Sequence, residues 1–185
     1  MIFDVDDFHV ENSGLEMLLE LKAINPELKV TAFAVPAFCP DWFVKDLPDW
    51  IQLVAHGWDH GGADCARADE AKDWDYDQAM SVLLSVPESF VDGWKSPGWQ
   101  ISDGTYQALS DLNWWVADQH YNDDRRPEGL RYHCEGDGDH VHCHVQNVCG
   151  NGLQESFPRL EALIGNAESF EFVSEVVTCE SLSAS

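Results

Sequence analysis

Short runs rich in β-branched and aromatic residues recur at 2–5, 29–35, 51–55, 90–94 and 114–117, with helix signals between them, and this alternation leaves few folds open. Ser13-Gly14-Leu15-Glu16 reads as a capping box for a helix to about Ile24, which Asn25-Pro26 breaks. Further helices are predicted at 40–46, 76–85, 102–112 and 157–164, the third capped by Ser102. Two alternating runs, 130–134 and 140–145, flank Glu135-Gly136-Asp137-Gly138-Asp139 and predict a β-hairpin. The acidic stretch 63–77 reads as an outer wrap, and 170–177 as a closing strand. The pattern predicts one α/β domain spanning 1–185, a parallel sheet or barrel with its helices outside.

In such a sheet the carboxyl ends of the strands converge on one rim, where α/β proteins place their sites. Asp4, Asp6 and Asp7 follow the first run, His56 and His60 the third, Lys95 the fourth and Asp118 the fifth. His142 and His144 lie in the last alternating run. Composition narrows what the rim can serve. With 34 acidic and 10 basic residues the net charge is −24, which repels a phosphate backbone and excludes a nucleic-acid partner. No apolar run approaches the ~18 residues of a membrane span, so no membrane partner is expected. The start, Met1-Ile2-Phe3-Asp4, lacks the basic and apolar regions of a signal peptide, and the expected location is cytoplasmic. Six cysteines without C-x-x-C spacing are expected to be reduced thiols.

His56-Gly57-Trp58-Asp59-His60 carries two imidazoles at H-x-x-x-H spacing directly after a buried run, so both can reach one ion from a short loop. Asp6-Asp7 places two carboxylates side by side at a strand end, where they repel each other unless a cation or proton compensates them. One carboxylate and two imidazoles suit a divalent ion such as zinc and leave positions open for water and an amide oxygen. His140, His142 and His144 would share one face of a strand, and with the neighbouring cysteines could hold a second metal; buried thiols are the competing reading.

Val5-Asp6-Asp7-Phe8 resembles the first motif of the polysaccharide deacetylase (NodB homology) family, carbohydrate esterase family 4. His56-Gly57-Trp58-Asp59-His60 resembles the second, Gly93-Trp94-Lys95-Ser96-Pro97-Gly98-Trp99 the third, and His142-Cys143-His144 the last. The resemblance covers residues 1 to about 150 in the family's order. It implies an irregular (β/α) barrel of about seven strands and metal-dependent removal of an acetyl group from an N-acetylated sugar or short glycan. Carried over by position, it implies Asp6 as general base, Asp7, His56 and His60 as ligands of a divalent ion, zinc first among candidates, and His144 as general acid. The sequence departs from the family in carrying Lys95 where an arginine is usual, Asp4 as a rival to Asp6, and His142 as a rival to His144. Trp58, Pro97 and Trp99 are candidates for sugar contact, since flat apolar faces pack on sugar rings. Two other functions stay open: the same fold hydrolysing a cyclic amide or ureide, and a carbohydrate- or metal-binding module without turnover.

Overall fold

The computed structural model describes residues 1–148 and 150–177; Cys149 and Cys179 lie outside them. Seven strands form one sheet: β1 Ile2–Phe8, β2 Val30–Ala34, β3 Ile51–His56, β4 Val91–Lys95, β5 Trp115–Asp118, β6 Tyr132–Cys134 and β7 His140–His144. Their order is β6-β5-β4-β3-β2-β1-β7, and every neighbouring pair is parallel. The helices are α1 Leu15–Ile24, α2 Asp41–Lys45, α3 Tyr76–Leu83, α4 Asp103–Asp111, α5 Leu153–Asn166 and α6 Val173–Val176.

The strands are buried on both faces, as parallel strands covered by helices must be, and their side chains alternate between two environments. Phe3 and Val5 of β1, Ala32 and Ala34 of β2, Leu53 and Ala55 of β3 and Val141 and Cys143 of β7 belong to the main core with Leu18, Leu21, Leu160 and Ile164 of the helices. The residues between them turn the other way. Ile2, Phe33, Val54, Trp115 and Ala117 form a second apolar cluster, closed by Val173 of α6. Asp4, Asp6, His56, Lys95, His140, His142 and His144 occupy the same alternate positions, so the inner surface is apolar at one end and charged at the other.

The sheet curls until its two edges meet. His133 Nε2 of β6 lies 3.1 Å from His140 Nδ1 of β7, and the Gly136 N–H reaches the same Nδ1 at 3.2 Å. This corrects the expected hairpin. The runs 130–134 and 140–145 do form strands, but β6 pairs only with β5 and β7 only with β1, both parallel, and the five residues between them step across the seam. A closing strand at 170–177 is also absent: Glu171 makes a single bridge to Ile2, and α6 follows. The capping box at Ser13 does not form either. The chain enters α1 through Gly14 at φ 58°, and the Ser13 hydroxyl reaches only the Leu15 N–H, at 3.4 Å. A Cβ on Gly14 would stand 2.7 Å from the end of the Leu153 side chain of α5, which would have to shift to admit it. Ser102 caps α4 as its sequence suggests, accepting from the Thr105 N–H, while α5 starts four residues before the expected 157.

Candidate active site

Successive residues of a regular strand face opposite ways, so Asp6 and Asp7 could not both point inward from an unbroken β1. The β1–β2 register shifts between Val5 and Phe8, and Asp7 adopts φ 64°. This bulge turns both carboxylates into the same space. Asp7, His60, Cys65 and Trp99 are four of the five non-glycine residues with left-handed backbone among the described residues, and all four line one cavity. Such a backbone costs roughly 1–2 kcal/mol per residue, and here that strain is concentrated where side-chain aim decides the chemistry.

His56 ends β3 with its Nδ1 3.1 Å from the Lys95 carbonyl, which can only accept. The Nδ1 therefore carries the proton, and the Nε2 lone pair is directed at Asp7 Oδ1, 3.6 Å away. His60 Nε2 lies 3.4 Å from the same oxygen. Burial pushes His56 down to about 4, against the opposing pull of Asp6 and Asp7, so the ring is neutral over most of the pH range, as a metal ligand must be. Burial would raise the Asp7 carboxyl, but the His144 hydrogen bond and the His56 and His60 rings hold it below the usual carboxylate range. Asp7 Oδ1 thus has one imidazole nitrogen of His56 and one of His60 within 3.6 Å, and a carboxylate with two imidazoles is a donor set that fits a divalent ion with positions left open.

The loop bearing His60 is held by a residue the sequence did not announce. Glu70, in the acidic stretch expected to wrap outside, turns inward and accepts the backbone N–H groups of Trp58, Asp59 and His60 at 2.9 to 3.3 Å. Gly57, at φ 67°, makes this possible: a Cβ there would fall 2.4 Å from Glu70 Oε2. Glu70→Ala leaves those donors without partners, and a loss of about 1–3 kcal/mol in stability is expected, read by denaturant titration, together with weaker metal retention by dialysis. Unchanged values for both would show that the loop holds its shape without the carboxylate.

Lys95 is buried beside Asp6. Its ammonium donates to Asp6 Oδ1 at 2.8 Å and to Glu135 Oε2 at 3.1 Å, and lies 4.6 Å and 4.5 Å from the Phe33 and Trp99 ring centres. Burial opposes the charge, yet Asp6, Asp4 and Glu135 outweigh it and hold the amine protonated beyond its ordinary range. Asp6 is held ionised in turn: burial raises it, and Lys95, His56 and His142 bring it below normal.

The histidines of β7 complete the wall. His144 Nδ1 lies 3.0 Å from Asp7 Oδ2. His142 Nδ1 lies 2.5 Å from Asp4 Oδ1, and His140 Nε2 is 2.6 Å from Asp4 Oδ2. Burial and Lys95 oppose protonation of His142, but Asp4 and Asp6 lift it above its ordinary range. Asp4, with both oxygens taken, does not line the cavity. The cavity, about 250 Å³, is lined by Asp6, Asp7, His56, His60, Lys95, Trp99, His142 and His144 among others.

Of the residues predicted for sugar contact, only Trp99 is among the lining. Pro97 is buried against Gly57, and Trp58 is half-buried beside the cavity. Trp94 belongs to the core, its ring tilted against that of Trp74 with centres 5.7 Å apart. Asp118, at the end of β5, does not line the cavity either, and Tyr106, Asn122 and Arg126 all donate to it at 2.6 to 3.1 Å. Sequence reasoning missed Glu70, Glu135 and Cys65; the last has its thiol raised by burial and by Asp7 and stands within ligand reach of Asp7 and His60. The described cysteines are all free thiols.

No protein-family model matches the chain, and no curated protein matches it in sequence. Solved structures match it in fold. A peptidoglycan N-acetylglucosamine deacetylase in complex with an N-hydroxybenzamide superposes with a TM-score of 0.64 at 15% identity, over 94% of this chain and 86% of that one. A family 4 acetyl xylan esterase from Clostridium thermocellum, in complex with a cobalt ion, gives 0.59 at 12% identity over 94% and 88%. A carbohydrate esterase family 4 pseudoenzyme from Bacillus anthracis gives 0.61 at 14% identity over 95% of this chain and 64% of that one, so the chain spans less than two thirds of its length. The fold is therefore the curled (β/α) barrel of carbohydrate esterase family 4, as the four motifs implied.

Proposed function

We propose that this chain is a metal-dependent hydrolase that removes the acetyl group from an N-acetylated sugar or short glycan. The observation that carries the reading is the convergence of Asp7, His56 and His60 beside an ionised Asp6, on the inner wall of a fold whose solved examples include a peptidoglycan N-acetylglucosamine deacetylase. Asp7, His56 and His60 would hold the ion, and zinc suits the mixed nitrogen and oxygen donors. When bound, the ion supplies Lewis acidity at the amide carbonyl.

The remaining work falls to the chain's own groups. Lys95 occupies Asp6 Oδ1, leaving Oδ2 free to take a proton from the attacking water. Lys95 also takes the place of the family's usual arginine: as a point charge it keeps Asp6 ionised without needing a planar fork. An amine leaves only once protonated, and the proton comes from the imidazole pair, His144 with His142 beside it. Asp4, standing behind His142, favours the charged form of that ring. Trp99 offers a partly exposed face at the mouth for a sugar ring, and a cavity of this size suits a chain end or a short substrate.

The test is acetate release from N-acetylglucosamine oligomers by zinc-loaded protein, with metal content measured on the same samples. Release above the buffer rate supports the assignment. Stoichiometric zinc without release from any N-acetylated sugar, cyclic amide or ureide overturns it in favour of a binding module without turnover, which would set this chain beside the Bacillus anthracis pseudoenzyme.

A further inference from the structure

We propose that Asp6, His142 and His144 form a second divalent-cation site next to Asp7, His56 and His60, and that filling it removes the base and the acid from use. One oxygen of Asp6 and one nitrogen from each histidine lie within 4.8 Å of one another. The facing atoms identify the donors. His142 Nδ1 is engaged by Asp4 at 2.5 Å and His144 Nδ1 by Asp7 at 3.0 Å, and a carboxylate can only accept, so both Nδ1 atoms carry protons. When both rings are neutral, the two Nε2 atoms hold lone pairs, and these face each other at 3.4 Å, with Asp6 Oδ2 4.0 Å from His142 Nε2. Lone pairs at that separation repel unless a proton or a cation lies between them. Imidazoles whose far nitrogens are oriented by carboxylates are the usual form of a histidine metal ligand.

Alternation along a strand brings the pair together, since residues i and i+2 of β7 share the inner face. Charge permits a second ion as well. Asp4, Asp6, Asp7 and Glu135 supply four carboxylates against one ammonium, Lys95, so with the imidazoles neutral, as metal ligands are, a single divalent ion leaves the cluster negative. Lys95 holds Asp6 Oδ1 and leaves Oδ2 on the side of the imidazoles. The two sites would touch through Asp7, whose Oδ1 faces His56 and His60 while its Oδ2 orients His144. Binding of the second ion stands on this geometry alone; its effect on turnover rests on the proposed function, because it claims the same Asp6 and the same imidazole pair.

Equilibrium dialysis of the full chain against zinc chloride, followed by metal analysis, reads the site directly. The wild-type chain is expected to take up a second equivalent, and acetate release should rise with the first and fall with the second. His142→Ala should stop at one equivalent, and His56→Ala should lose the other. His144→Gln, which keeps a polar side chain on the strand, repeats the measurement should His142→Ala misfold. A wild-type chain that saturates at one equivalent, lost in His56→Ala and kept in His142→Ala, overturns the second site and leaves the proposed function intact. One equivalent lost in His142→Ala and kept in His56→Ala supports this site and overturns the ligand set of the proposed function.

Discussion

Asp6→Asn is expected to keep its zinc and lose acetate release by a factor of about 10² to 10⁴, the range associated with a positioned general base. The substitution preserves shape and still offers Lys95 an acceptor, so the packing around the ammonium persists. It removes Asp6 Oδ2, the oxygen of that carboxylate that Lys95 leaves unoccupied on the cavity wall. Some stability is lost with the charge, because Lys95 stays buried against Glu135 and Asp4 alone. Rates are therefore compared at a temperature where circular dichroism shows both proteins folded. A variant that turns over at the wild-type rate would exclude Asp6 as the base, and Asp4 cannot replace it without giving up His140 and His142.

His56→Ala is expected to lose both zinc and turnover. His56 is the one imidazole of the predicted ligand set whose proton position is fixed by a backbone carbonyl, so it meets an ion without rearrangement. Loss of an outer partner alone typically costs 10–100-fold in metal affinity; removing the ligand itself should cost more, and dialysed protein should retain far less than one equivalent. The variant also opens a void beside Phe33, whose ring centre lies 6.4 Å from that of His56, and takes one of two donors from the Lys95 carbonyl, leaving the Gly57 N–H at 3.3 Å. Stability measured without metal separates this cost from the ligand's role. Undiminished zinc and rate in His56→Ala would remove the foundation of the proposed mechanism.

Much of this was legible in the residues. The apolar runs ending at Val5, Val35, Ala55, Trp94 and Ala117 each mark a strand, because parallel strands covered on both faces must be continuously apolar, and the polar residues just beyond them fall on the rim. What escaped depended on contacts distant in sequence. Glu70 looks like any acid in a charged stretch until the chain folds back and presents three amides to it. A regular period would have turned Asp7 away from Asp6; only the bulge, which nothing in Val5-Asp6-Asp7-Phe8 specifies, unites them. The hairpin misreading has a similar origin. Two alternating runs joined by five turn-forming residues look the same whether the chain reverses or crosses between two sheet edges, and only the partners β5 and β1 decide. Residues 170–177 were a short apolar run of the kind that periodicity cannot assign.

The meeting of β6 and β7 has a consequence for solubility. A sheet edge is a template for further strands, and proteins usually blunt it with charge or cover. Here the two edges shelter each other, and the lock between them is a line of side chains, His133 to His140 to Asp4. Loosening that line would expose two templates at once, so substitutions at His133 or His140 endanger the molecule first through aggregation, before any chemistry at the rim is affected.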